Sequence, residues 1–186
     1  MTRALIVVDI QQDFCEGGAL AVAGGTAVAA AVDELLAGDH GYELVVATRD
    51  HHIDPGDHFS QEPDYVDSWP VHCVAGTPGA EQHPELTFTN WDGLFLKGHH
   101  SAAYSGFEGV EATSGVPLAE FLCDRGITAV DVCGIATDYC VNATARDAVK
   151  EGFDATVLVG LTAAVHPDGL PELQREWSRN RIEHRN

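Results

Sequence analysis

The sequence is poor in positive charge. It has 10 Lys and Arg against 29 Asp and Glu, a formal charge of −19, and only two of its basic residues are lysines. A nucleic-acid partner would need a basic face, and an anionic membrane surface would repel such a chain. Cysteine pairing is missing too. The five Cys include no C-x-x-C pair and are odd in number, so they do not form a disulfide scaffold. Free thiols fit a reducing compartment, and the expected location is the cytoplasm. Long apolar runs are absent. The opening ALIVV is broken by Asp9 and reads as neither a signal peptide nor a membrane span. No repeat or low-complexity linker stands out. The 186 residues, 45% hydrophobic, suffice for one sizeable core, and residues 1–186 are expected to form a single domain. Nothing here fixes the number of copies; a homo-oligomer is compatible with the sequence.

Short apolar, β-branched runs alternate with helical spacing. Strands are expected at Ala4–Val8, Glu43–Thr48, Leu94–Leu96, Ala129–Cys133 and Thr156–Val159. Helices are expected at Thr26–Leu36, Leu118–Asp124, Val141–Lys150 and Glu172–Arg179, the last with a fraying end. Residues 50 to 90 are rich in His, Pro, Gly and Asp without periodicity, and a loop that long is usually functional. The alternation predicts parallel βαβ units in an α/β fold, a three-layer α/β/α sandwich around a mainly parallel sheet.

Such sheets bind ligands outside the carboxyl ends of their strands. Asp9 follows the first strand, Asp50 the second and Lys97 the third, and the fourth leads through GIATDY to Cys140. Most free cysteines are small buried hydrophobes, a description that suits Cys133 and Cys123. Cys140 differs because it precedes a helical segment. Free amides and the helix dipole there stabilise a thiolate and can hold an oxyanion. Asp9, ending an apolar run, costs free energy to bury unless it is paired or used; burial would raise its pKa toward that of a general base. Lys97 would keep that carboxylate charged and oriented. Asp9, Lys97 and Cys140 thus make an acyl-transfer set with no His base.

The segment RDHHIDPGDH supplies Asp50, His52 and His58, and His72 follows further along the loop. Asp50 and His52, two apart in extended chain, face one way, and the Pro-Gly turn can return His58. Three imidazoles and a carboxylate suit one divalent Zn, Fe or Mn ion better than Ca or Mg. His51 is expected to point away, and His40, His83, His166 and His184 read as surface residues. Phe14, Trp69, Tyr104 and Tyr139 lie near these positions and could enclose a flat ring. From the residues alone several readings stay open: a cysteine hydrolase of some small amide, a metal-hydroxide hydrolase with a structural Cys140, or a non-catalytic metal- or ligand-binding protein.

The stretches VVDIQQDFCEGG, ATRDHHIDPGDHF, SWPVHCVAGTPGA, FLKG, AYSGFEG and GIATDYCVNATARDA resemble the nicotinamidase/pyrazinamidase family of the isochorismatase-like superfamily, from about residue 3 to about residue 165. The resemblance implies hydrolysis of nicotinamide to nicotinate and ammonia in NAD salvage, and activity on pyrazinamide. It implies Asp9, Lys97 and Cys140 as the triad, and Asp50, His52, His58 and His72 as ligands of a metal that binds the ring nitrogen. Phe14, Trp69 and Tyr104 would flank this small-molecule substrate. The amides of Ala136 and Cys140 would form the oxyanion hole beside an Ile135–Ala136 cis peptide. Two features depart from the family pattern. His99 and His100 follow Lys97-Gly98 and are expected at the pocket rim. The tail after Val165 matches poorly and shows no clear final strand.

Overall fold

The computed structural model describes residues 2–186. One mostly parallel sheet runs through it, with seven strands among the described residues. They are β1 (Arg3–Val8), β2 (Leu44–Asp50), β3 (Gly93–Lys97), β4 (Val110–Glu111), β5 (Ala129–Ile135), β6 (Asp154–Ala163) and β7 (Ile182–Arg185), in spatial order 4-3-2-1-5-6-7. Only β4 runs antiparallel to its neighbour. Strand β1 shows why the sheet is central. Ala4, Ile6 and Val8 enter one core while Leu5 and Val7 enter the other, so both faces are covered.

Helix α1 (Gly25–Ala37) lies on one face. It buries Val28, Ala29, Val32 and Leu36, one stripe of a 3.6-residue period, against the β5–β6 side. Residues of α2 (Leu118–Asp124), α3 (Asn142–Lys150) and α4 (Leu170–Arg179) join the core on the opposite face, where Trp177 is fully buried. The expected three-layer α/β/α sandwich is therefore present.

The expected elements are found, with strands longer than the apolar runs suggest, because polar residues such as Asp50 and Lys97 are buried in them. Two strands are additional. The two-residue β4 is too short to show a period. The tail also ends in a strand: β7 pairs in parallel with β6 along IEHR, and only Ile182 of it is fully buried. A polar edge strand carries little apolar alternation, which is why the sequence hides it. Cys123, expected among the buried thiols, is exposed on α2. Residues 51–92 form the expected long loop, with short 3₁₀ turns at Gly56–His58 and Pro78–Ala80. No described helix is long and apolar enough to cross a membrane.

The strand order reverses direction between β1 and β5, so their carboxyl ends splay apart and open a crevice. Asp9 follows one of these strands and Cys140 follows the other. Gly134 lets them close in: at φ 114°, its missing Cβ would sit 2.0 Å from the Val8 carbonyl oxygen.

Candidate active site

At the end of β1 the chain turns sharply at Asp9, which adopts φ 49°. Asp is among the residues that tolerate this left-handed region. The turn buries the carboxylate completely. Oδ1 accepts a hydrogen bond from Thr48 Oγ1 at 2.7 Å, and Oδ2 lies 2.8 Å from Lys97 Nζ. That second contact is an ion pair without good hydrogen-bond alignment, which leaves Oδ2 able to take a proton. Lys97 ends β3 and is as buried as Asp9. Its ammonium also pairs closely with Asp50, donates to the Ala103 carbonyl at 3.1 Å, and lies 3.9 Å from Cys140 Sγ. Burial alone would strip its proton, but the Asp50 and Asp9 carboxylates outweigh burial and raise its pKa well above the usual lysine value.

Cys140 sits in a π-helical turn, Thr137–Val141, that leads into α3 one residue later than the sequence suggests. Its sulfur is buried, and burial pushes the thiol pKa well up despite Lys97, with Asp9 and Asp50 adding to the rise. That shift runs against the thiolate stabilisation expected of a helix N-terminus. Asp9 is its match. Burial raises the Asp9 pKa, Lys97 opposes this and Asp50 adds to it, so the carboxylate is biased toward holding a proton. The Ile135–Ala136 peptide is cis. The Ala136 carbonyl accepts from the N–H groups of Tyr139 and Val141, at 3.1 Å each, and skips that of Cys140.

The three imidazoles of His52, His58 and His72 converge, with one nitrogen from each inside a 4.8 Å cluster. Asp50 Oδ2 is 3.6 Å from His52 Nε2 and 3.9 Å from His72 Nε2. Outer hydrogen bonds orient two of the rings: His52 Nδ1 meets the Gly98 carbonyl at 2.6 Å and His72 Nδ1 the Pro70 carbonyl at 2.7 Å. Gly98 must lack a Cβ, which would stand 2.6 Å from His52 Cε1. His52 Nε2 and His58 Nδ1 are buried with no protein partner. Two orphaned buried acceptors beside a carboxylate fit a cation. Burial, aided by its histidine neighbours, lowers the His58 pKa to about 4, and burial also lowers that of His72. Neutral imidazole is the form a metal needs. The donor set suits a divalent transition metal.

A cavity of about 320 Å³ opens beside these groups, walled by Phe14, Trp69, His72, Tyr104, Tyr139 and Cys140. Asp9 and Lys97 lie behind Cys140, off the cavity wall. Trp69 Nε1 donates to Tyr104 Oη at 3.0 Å, and the Trp69 ring meets Tyr139 edge-on at 5.2 Å. Phe14 tilts against His72 at 5.5 Å. The cavity thus joins a thiol, a three-imidazole cluster and aromatic walls sized for one ring.

Residues 3–174 match the Isochorismatase domain family. The chain is 58% identical to the Mycobacterium tuberculosis nicotinamidase/pyrazinamidase over 166 residues, 89% of each chain. It superposes with TM-score 0.84 on the Pyrococcus horikoshii pyrazinamidase solved in complex with zinc, at 35% identity over 100% of this chain and 99% of that one. The L. infantum protein solved in complex with nicotinate gives TM-score 0.86 at 34% identity, over 100% of this chain and 92% of the other.

The chain belongs to the nicotinamidase/pyrazinamidase family.

Every residue expected at the site of a nicotinamidase is brought to this one edge of the sheet. Several other expectations change. His99 and His100 do not line the cavity. The His99 carbonyl instead accepts from Ile53 and Asp54, and its ring packs edge-on against His51 at 5.3 Å, turned away from the imidazole cluster. His166 is exposed, as expected of a surface residue, and it also lines the cavity. Asp138 accepts hydrogen bonds from the Val165 and His166 amides at 2.9 and 2.8 Å, which pins the chain after β6 beside the Cys140 turn. Thr48 was not expected at the site. Its place in the apolar run gives no sign of it, but its register opposite Val8 puts its hydroxyl beside Asp9.

Proposed function

We propose that the protein hydrolyses nicotinamide to nicotinate and ammonia, a step of NAD salvage, and accepts pyrazinamide. The observation that carries this reading is the buried Asp9–Lys97–Cys140 set beside a three-imidazole cluster in one ring-sized cavity. The relatives named for these activities support it. Cys140 is the nucleophile, Asp9 the general base and acid, and Lys97 the fixed charge that keeps both in place.

As Cys140 Sγ attacks the amide carbon, its proton passes to Asp9 Oδ2. The C–S bond forms, and the carbonyl electron pair moves onto oxygen. The N–H groups of Cys140 and Ala136 receive that oxyanion. Asp9 then gives its proton to the departing nitrogen, ammonia leaves, and a thioester remains. Asp9 next takes a proton from water, whose oxygen adds to the thioester carbon; the C–S bond breaks, the Asp9 proton returns to the Cys140 sulfur, and the acid leaves as nicotinate, its proton passing to ammonia or solvent. Lys97 stays protonated throughout and keeps Asp9 and Asp50 from repelling each other.

Asp50, His52, His58 and His72 would hold the metal, with Zn, Fe or Mn suited to the donors. When bound, it supplies a Lewis acid that anchors a ring nitrogen. Phe14, Trp69 and Tyr104 would flank the ring. The cysteines, all free among the described residues, fit a cytoplasmic location.

Ammonia release from nicotinamide by wild type and Cys140→Ala tests the reading. The folded variant should have no turnover. Near-normal turnover would return the chemistry to a metal-activated water and make Cys140 structural.

A further inference from the structure

The end of β2 poses a backbone problem. Pairing between β1 and β2 continues through the Asp9 N–H, which donates to the Thr48 carbonyl at 3.1 Å. The chain then swings away at Asp9. Asp50 keeps Lys97 as its register partner on β3, but its N–H and C=O face a gap where β1 would have continued. Asp50 is buried, so both groups would be costly to leave bare.

The side chain of Gln11 fills the gap. Oε1 accepts from the Asp50 N–H at 2.9 Å, and Nε2 donates to the Asp50 carbonyl at 2.8 Å. The second Nε2 proton reaches the Ala80 carbonyl, also at 2.8 Å. The amide therefore replaces a missing strand residue and ties the loop behind the imidazoles to the same point. It is fully buried, and both of its Nε2 protons are used. Reversing the amide would set N–H against N–H and carbonyl against carbonyl, so the bonding pattern fixes its orientation.

We propose that Gln11 is a positioning residue that sets the metal affinity of the Asp50–His52–His58–His72 cluster. It touches no substrate. It holds the Asp50 backbone so that one carboxylate oxygen meets Lys97 while the other faces the imidazoles. Groups that orient a metal ligand without touching the metal are worth about 10- to 100-fold in affinity. This inference rests on the metal-site reading above.

Zinc affinity, measured on folded protein by competition with a chromogenic chelator, tests it. Gln11→Met keeps the length and removes all three bonds. The expected result is a zinc dissociation constant about 10- to 100-fold higher than wild type, with His58→Ala as the ligand-loss control. A merely structural Gln11 would lower the unfolding temperature and leave that constant unchanged, which would overturn the proposal while leaving the metal site intact. A wild type that binds no zinc would bring down the metal reading and this inference together. If Gln11→Met does not fold, the wild type decides. The Gln11 side-chain NH₂ protons should exchange slowly and shift on zinc addition; protons that exchange freely or ignore zinc overturn it.

Discussion

Asp50 and Lys97 are register partners at the ends of adjacent parallel strands, and their buried side chains form a close ion pair. The pair joins two sites that the sequence presents separately. Asp50 offers its other oxygen to the imidazoles, and Lys97 continues to Asp9 and Cys140. Burial alone would raise the Asp50 pKa; Lys97 and His52 reverse this and hold its carboxyl well below the usual range. Asp9 moves the other way. Two carboxylates on one ammonium are thus shifted in opposite directions.

Lys97→Met removes the charge that both carboxylates share. Breaking a buried ion pair from one side costs about 3–5 kcal/mol. The variant should unfold at lower urea and lose about 10²–10⁴ in kcat, as expected when a general base loses its setting. Urea titration with ammonia-release kinetics checks both, and normal kcat in the folded variant would remove Lys97 from the chemistry.

Tyr104→Phe deletes the acceptor of the Trp69 indole N–H. A neutral hydrogen bond of this kind is worth about 1 kcal/mol. Trp69 then wobbles in the ring wall while Cys140, Asp9 and Lys97 are untouched. KM for nicotinamide should rise a few-fold with kcat nearly constant. Steady-state kinetics would contradict the wall assignment if kcat fell instead.

Fold legibility followed burial. Runs such as ALIVV and AVDVC announce strands because both faces of a parallel sheet are apolar. Asp9 and Lys97 could be found because each breaks or ends such a run, and Cys140 because it precedes a helical segment. The imidazole cluster showed in its spacing. Gln11 and Thr48 did not show, because each acts through register or side-chain bonds across the chain. Likewise β7 is a polar edge whose Arg185 reaches Asp131 at 2.5 Å, a pairing that no local pattern encodes.

The tail gives its own test. Ile182 is 2% exposed and packs in the same core as Trp177. Ile182→Ala should destabilise the fold by about 2–5 kcal/mol. Chemical denaturation measures this. An effect near zero would mean that β7 does not close the sheet in solution.

Glu16 supplies a pH test. Its carboxylate accepts from the Gly24 and Thr26 N–H groups at 2.6 and 2.8 Å, where the first turn of α1 has no side-chain cap of its own. Hydrogen bonds from Thr26, then Gly24, lower its pKa from 4.5 to about 2. A lowered carboxyl pKa gives stability that is full above the unfolded value and fades as pH falls through the folded one. Wild type should therefore melt above Glu16→Gln at neutral pH, with the gap closing between about pH 4.5 and 2. A gap that does not vary with pH would show that Glu16 does not cap α1.

The central claim is that Cys140 carries the acyl group. Acid quenching during turnover of nicotinamide, followed by intact-mass and peptide mapping, measures this directly. The account predicts one nicotinoyl group on the peptide containing Cys140, absent in Cys140→Ala and absent in Asp9→Asn, which cannot take the thiol proton. Full turnover by wild type with no adduct on Cys140, or by Asp9→Asn at the wild-type rate, would contradict it.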